Sequence, residues 1–197
     1  MKKGMVFIVV ILAVLFSWNG LKAADSPAPA AEQPKYTVGD YWVFTKDQGE
    51  KAQDDNAEAA DIRVTFVSQE GDVYNFLKNG SVPFKKDKFL TPITGKSKGY
   101  PGPILQFPLK VDKHWSYDFM SVRHEAPWPM TAKYSVEAYE QITVPAGTFW
   151  AYRVEVAIVF NVKNSFNTYT TKTYWYAPAA KNIIKGSGMI LKECKVQ

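Results

Sequence analysis

A single cysteine, Cys194, stands in this chain of 197 residues, and histidine occurs twice. One thiol closes no intramolecular disulfide, so the fold must stand on its core alone. No HExxH pair, paired-cysteine spacing or Asp-rich calcium loop is present, and no cofactor is assigned. Long apolar runs are also scarce. Met5 to Trp18 is the one such run, preceded by Lys2 and Lys3 and followed by Leu21-Lys22-Ala23. Fourteen residues at ~1.5 Å each reach about 21 Å, short of a ~30 Å bilayer core. Residues 1–24 therefore read as a cleaved secretory signal in preference to an anchor. No cysteine follows the run, so lipoprotein attachment has no acceptor there. The expectation is an exported protein, periplasmic in a Gram-negative host and otherwise secreted, with no membrane span after cleavage.

Charge of one sign is lacking as well. Removing residues 1–24 takes Lys2, Lys3 and Lys22 and no acid, leaving 21 basic against 19 acidic side chains. The remaining lysines are scattered, and the one cluster, Lys85-Lys86-Asp87-Lys88, is interrupted by an acid. A nucleic-acid partner needs a concentrated basic stripe, so none is expected.

What the chain has is alternation. Trp150, Tyr152, Val154, Val156, Ile158, Phe160 and Val162 occupy every second position after the turn Val144-Pro145-Ala146-Gly147-Thr148-Phe149. That period belongs to a half-buried strand and not to a helix. Pro145 presets φ for a type I turn, with Gly147 taking the left-handed conformation of the bulge. Further strands are expected at Tyr41 to Thr45, around Ile62, Val64 and Phe66, at Val73 to Leu77, Val82 to Phe84, and around Trp115, Tyr117 and Phe119. Others follow at Tyr134 to Val144, Tyr169 to Tyr176 and Met189 to Val196. Turns fall at Val38-Gly39-Asp40, Gln69 to Asp72 and Asn79-Gly80. The fold class is all-β, mainly antiparallel, a twisted sheet forming a barrel or half-barrel. Residues 25–35, with prolines at 27, 29 and 34 and alanines at 28, 30 and 31, read as a linker, and 36–197 as a single β domain.

Candidates for chemistry are weak. His114, Ser116 and Asp118 share a face, but same-face neighbours on a strand sit about 6.6–7 Å apart, too far for a directed triad. His124 and Glu125 with His114 lack a metal-binding spacing. Gly95-Lys96-Ser97 lacks the earlier glycine of a phosphate loop. Glu140 interrupts the row Tyr134, Val136, Ala138, Ile142, Val144, so either a bulge shifts the register or the row lines a wet cavity. Cys194 reads as a small buried hydrophobe on one face with Ile190 and Val196. Long irregular stretches run from Lys46 to Ala60, Thr91 to Ile104 and Ser121 to Met130, and residues 163–169 read as a hairpin.

The elements Tyr139 to Phe149, Tyr174-Trp175-Tyr176-Ala177-Pro178, Phe107-Pro108-Leu109 with Val111 and Trp115, and Tyr36 to Trp42 resemble motifs of the TapB-like family of exported bacterial proteins. A VPAGTF hairpin and a WYAP strand end are its marks. Asp112-Lys113 departs from the glycine common there. The resemblance implies an exported antiparallel β fold, similar to half-barrels that carry lipids or lipoproteins, and it brings no catalytic residues.

Two non-enzymatic readings follow. In one, the curved sheet binds a lipid or other apolar or amphipathic ligand, lined by Trp115, Trp150, Tyr152, Val154, Val156 and Trp175. In the other these residues fill a solid core, and the protein meets an envelope partner through loops carrying Tyr100 and Trp128. Trp128 is either an exposed contact stiffened by Pro127 and Pro129 or a plug over one end of the barrel.

Overall fold

The computed structural model describes residues 28–49, 60–94, 102–121, 128–160 and 168–197. Ten strands form one open, wholly antiparallel sheet. In chain order they are β1 (Tyr41–Lys46), β2 (Ile62–Glu70), β3 (Val73–Lys78), β4 (Val82–Asp87) and β5 (His114–Ser121). Then come β6 (Trp128–Val144), β7 (Gly147–Phe160), β8 (Thr168–Ala177), β9 (Asn182–Gly186) and β10 (Met189–Lys195). Across the sheet the order is β4-β3-β2-β1-β10-β9-β8-β7-β6-β5. The first four strands meander outward to one edge, and the last six meander back from the other. The first and last strands pair at the centre, Tyr41 opposite Lys195. Among the described residues no helix is long and apolar enough to cross a membrane.

Register shifts interrupt five of the nine strand pairings. Such bulges bend a strand and increase its twist, in keeping with a twisted sheet of half-barrel form whose edges, β4 and β5, stay unjoined. The bulge in β6 between Val136 and Ala138 resolves Glu140. Before it, Met130, Ala132, Tyr134 and Val136 point inward; after it, Tyr139 joins Tyr152 inside and Glu140 turns out. There Glu140 lies 3.3 Å from Arg153 Nε and accepts a 3.0 Å hydrogen bond from Trp175 Nε1. The hairpin is equally regular: Val144 pairs with Gly147, whose φ is +130°.

Strand edges differ from expectation at two places. Trp128 and Pro129 begin β6 instead of ending a loop, with Trp128 opposite Ser121 and Met130 buried. β9 is an additional strand, entered from a single 3-10 turn, Pro178–Ala180, closed by Lys181 at φ 54°. Cys194 is half-buried opposite Trp42, whereas a register shift puts Ile190 opposite Thr45, so the two do not share a face. Residues 163–167 of the expected hairpin, and His124, Glu125 and residues 95–97, lie outside the described residues.

The connection from β4 to β5 runs from one edge of the sheet to the other and lays Leu90, Leu105 and Leu109 into the core, each 2% exposed or less. The segment read as a linker is attached to it. Ala31 exchanges two backbone hydrogen bonds with Leu109 (2.9 and 2.8 Å) and is buried. Backbone pairing supplies there what an Ala/Pro composition could not announce.

Two buried carboxylates hold the ends. Asp40, fully buried, accepts hydrogen bonds from the backbone N–H of Thr37 and of Gln197 (3.0 Å each) and faces Lys181 Nζ at 3.2 Å. Trp42, also fully buried, donates from Nε1 to the carbonyl of Ala180 at 2.6 Å. Asp47 pairs with Lys185 at 3.0 Å. Burial raises its pKa, but the Gly49 N–H and the Lys185 ammonium outweigh that and hold it below the usual carboxylate value.

Candidate functional site

Strand parity places the six proposed lining residues in three settings. Tyr152, Val154 and Val156 point inward and are 0–1% exposed, closed over by protein. Trp115 is half-buried beside them, stacked on Tyr134 at 5.1 Å, with its Nε1 donating to the Pro103 carbonyl at 2.9 Å. Trp150 keeps the parity of Tyr152 but lies beyond the packed region; it is 50% exposed and stacks on Tyr139 at 5.2 Å. Trp175 is on the opposite face, between Glu140 and Lys185, whose Nζ is 5.5 Å from the indole centroid. Its neighbours Tyr174 and Tyr176 are the buried ones. The six therefore do not form one lining.

Under β1–β3 the concave side is filled by aromatic rings. Tyr36 contacts Trp42, Phe66, Tyr74 and Phe76 with ring centroids 5.0–5.7 Å apart. Under β8 the connection packs Phe107 on Tyr176 at 5.3 Å. Burial first, then the neighbouring Tyr176 and Tyr74 hydroxyls, pushes the Tyr36 phenol far above its ordinary pKa. Tyr176 rises likewise, through burial and then Tyr74. None of these phenols is an acid or base near neutrality.

The end of β5 and β6 is different. Tyr117, Phe119, Trp128 and Phe160 lie on the inward parity, yet Tyr117 is 40% and Trp128 44% exposed. Trp128 meets Phe160 edge-on at 6.2 Å, and Tyr117 stacks on Phe119 at 6.4 Å. Met120, on the other face of β5, is 54% exposed. β5 is an edge strand, so aromatic surface and a strand border coincide. Gly102 permits the connection to lie against Tyr117, since a Cβ at that position would stand 2.3 Å from the ring. Tyr100 lies outside the described residues. Sequence reasoning singled out Trp128 but not Tyr117, Phe119 or Phe160 as surface, although the alternation that marked them as strand residues also set their shared face.

His114, Ser116 and Asp118 are exposed on the outer face, as alternation implies. Asp118 accepts a 2.6 Å hydrogen bond from Thr131. His114 borders a groove of about 330 Å³ with Lys133, Tyr134, Glu155, Val156 and Thr173, where Glu155 is ion-paired to Arg153. Among the described residues no three His, Cys, Asp or Glu side chains converge in a metal-binding arrangement. A separate cavity of about 520 Å³ opens where the N-terminal segment crosses β2 and β3, lined by Gln33, Pro34, Lys35, Tyr36, Gln69 and Tyr74.

No protein-family model matches the sequence, and no curated protein matches it. Among solved structures the chain is similar to the hypothetical lipoprotein YmcC of Escherichia coli, at 10% identity and a TM-score of 0.43, over 83% of this chain and 84% of that one. It is also similar to an exported-protein candidate with a YmcC-like fold from Bacteroides fragilis, at 11% identity and 0.36, over 85% and 100%. A lipoprotein candidate from Parabacteroides distasonis gives 12% and 0.41, over 85% and 100%.

Proposed function

We propose that this chain is an exported, non-enzymatic interaction module that receives a polypeptide partner at the aromatic end of β5 and β6. The observation that carries this reading is the contrast along one sheet. Tyr152, Val154 and Val156 are sealed inside, while Tyr117 and Trp128 on the same inward parity stay open beside an unshared strand border. Exposed aromatic patches are costly in water and mark contact surfaces. A strand border adds backbone donors and acceptors that an extended segment can pair with. Export rests on the charged start and apolar run of residues 1–24.

The test is site-specific photo-crosslinking in the native host from position 120, which lies beside the patch without belonging to its inner face. One discrete protein adduct is expected, lost when Trp128→Ser or Tyr117→Ser is introduced. No adduct, or a protein adduct indifferent to both substitutions, would sink the proposal. The second reading, a small apolar or amphipathic ligand, is favoured by one observation, the 520 Å³ cavity beside Tyr36 and Tyr74. Native mass spectrometry of gently purified protein tests it through a bound small molecule released on denaturation.

A further inference from the structure

The sheet has two borders, β4 and β5, and the fold treats them differently. On β4 the backbone that faces away from the sheet is covered. Lys85 N–H donates to Thr94 Oγ1 at 2.9 Å, its carbonyl accepts from Ile93 N–H at 3.0 Å, and Asp87 N–H donates to the Thr91 carbonyl at 3.0 Å. Pro83, two residues earlier, has no N–H to offer. Among the described residues no such cover lies on β5. Just before that strand, Val136 of β6 donates to the Lys113 carbonyl and accepts from Asp112 N–H, each at 2.9 Å. Lys113 is thus bonded toward β6, and bonded positions alternate along an antiparallel pair. Trp115, Tyr117 and Phe119 continue that series, so the backbone groups of His114, Ser116, Asp118 and Met120 point away from β6. Among the described residues nothing takes them up.

The side chains of β5 decide which strand can join there. Trp115, Tyr117 and Phe119 share the inner face; His114, Ser116, Asp118 and Met120 share the outer one and are exposed. Set antiparallel to its own two-fold image with Tyr117 on the axis, β5 brings free backbone to free backbone along its length. Ser116 then stands opposite Asp118, His114 opposite Met120, and Trp115 opposite Phe119. No like charges oppose, a serine hydroxyl meets a carboxylate, and aromatic rings pair across the strands. An axis through Asp118 would set the two carboxylates against each other. An axis through Ser116 would leave Phe119 and Met120 beyond the β5 of the image.

Resting on the partner surface proposed above, we infer that its occupant is a second copy of this chain, joined β5 to β5 about a two-fold axis. Two ten-stranded sheets then become one. The contact covers a strand border that would otherwise invite pairing with other chains, and it brings the 40% exposed Tyr117 onto the Tyr117 of the second copy.

The experiment is sedimentation equilibrium of the purified mature chain at micromolar concentration, for the wild type, for Ser116→Asp, and for the exchanged double variant Ser116→Asp with Asp118→Ser. A dimer is expected for the wild type. Ser116→Asp opposes carboxylates at both symmetric positions and should weaken the dimer about tenfold. The exchange separates them again and should restore it to within a few fold. Both positions are exposed, and Lys133 stands opposite Ser116 on β6, so both variants are expected to fold. A photo-crosslinker at position 120 should give an adduct of twice the chain's mass, attached near His114 of the second copy. A monomeric wild type, a dimer indifferent to Ser116→Asp, or no recovery on exchange overturns the inference. An adduct to a different protein in the native host also overturns it, while leaving the partner surface itself standing.

Discussion

Asp40 shows what one buried charge can hold in a sheet whose ends meet at the centre. It joins the turn before β1, the last residue of the chain and Lys181 after the 3-10 turn. Asp40→Ala leaves two backbone donors and one ammonium without their acceptor, and about 3 kcal/mol of stability should be lost. Urea unfolding of the two proteins checks it; a difference below about 1 kcal/mol would show that water replaces the carboxylate. Lys86 makes the opposite case. Its folded pKa, about 8, lies below the unfolded value of 10.5. Below pH 8 both states bind the proton and the cost of burial is fully present. Between pH 8 and 10.5 the unfolded state binds more protons, so stability rises with pH through that window. Lys86→Met should therefore melt higher than the wild type at pH 7, with the difference shrinking steadily as pH approaches 10.5. Thermal melts of both proteins across that range decide, and a constant difference would remove Lys86 as the source.

At the scale of elements, alternation and turn chemistry were legible and face assignment was partly so. β7 is legible because large apolar residues hold every second position from Trp150 to Phe160, and Glu140 signals the β6 bulge by breaking such a row. Trp175 could not be placed from sequence. In Tyr174-Trp175-Tyr176 every residue is aromatic, so period two carries no information about which one turns inward. β9 is not legible because its two large apolar residues, Ile183 and Ile184, are adjacent and show no alternation. Pro127 and Pro129 make the sequence around Trp128 read as a loop. β6 nonetheless tolerates Pro129, because its pairing with β7 starts only at Met130. Lys86 looked like part of a surface charge cluster; only its pairing with Tyr74 reveals that it faces the rings. At the 144–149 hairpin, Gly147 carries φ +130°. Gly147→Val should cost about 2 kcal/mol, lowering the melting temperature by about 6 °C for a chain of this size. An unchanged melting temperature would count against the turn as described.

The whole molecule is two meanders with one long connection between their outer edges. The curved face needs filling, and the connection with Leu90, Leu105 and Leu109 fills it, so the half-barrel is legible from strands alone but its plug is not. Irregular segments show no period, and what they bury depends on contacts far away in sequence. β1 and β10 are the central pair, so removing the chain from residue 189 onward splits the sheet into two halves. Such a truncation should yield no cooperative unfolding transition in circular dichroism, whereas removing Val196 and Gln197 alone should leave one, weakened by loss of the Gln197 hydrogen bond to Asp40.

That central pairing also sets an order in time. A ribosome delivers β1 early and β10 last, and Tyr41 meets Lys195 only after nearly the entire sheet has been made. Through that interval β1 to β4 have a nascent border at β1 that no later strand has yet joined, and the union of the two halves at the centre must await the seven-residue β10. Contacts so distant in sequence form slowly. The newborn chain is thus most adhesive along the strand that ends up best protected, and any helper that attends its maturation has its target at β1.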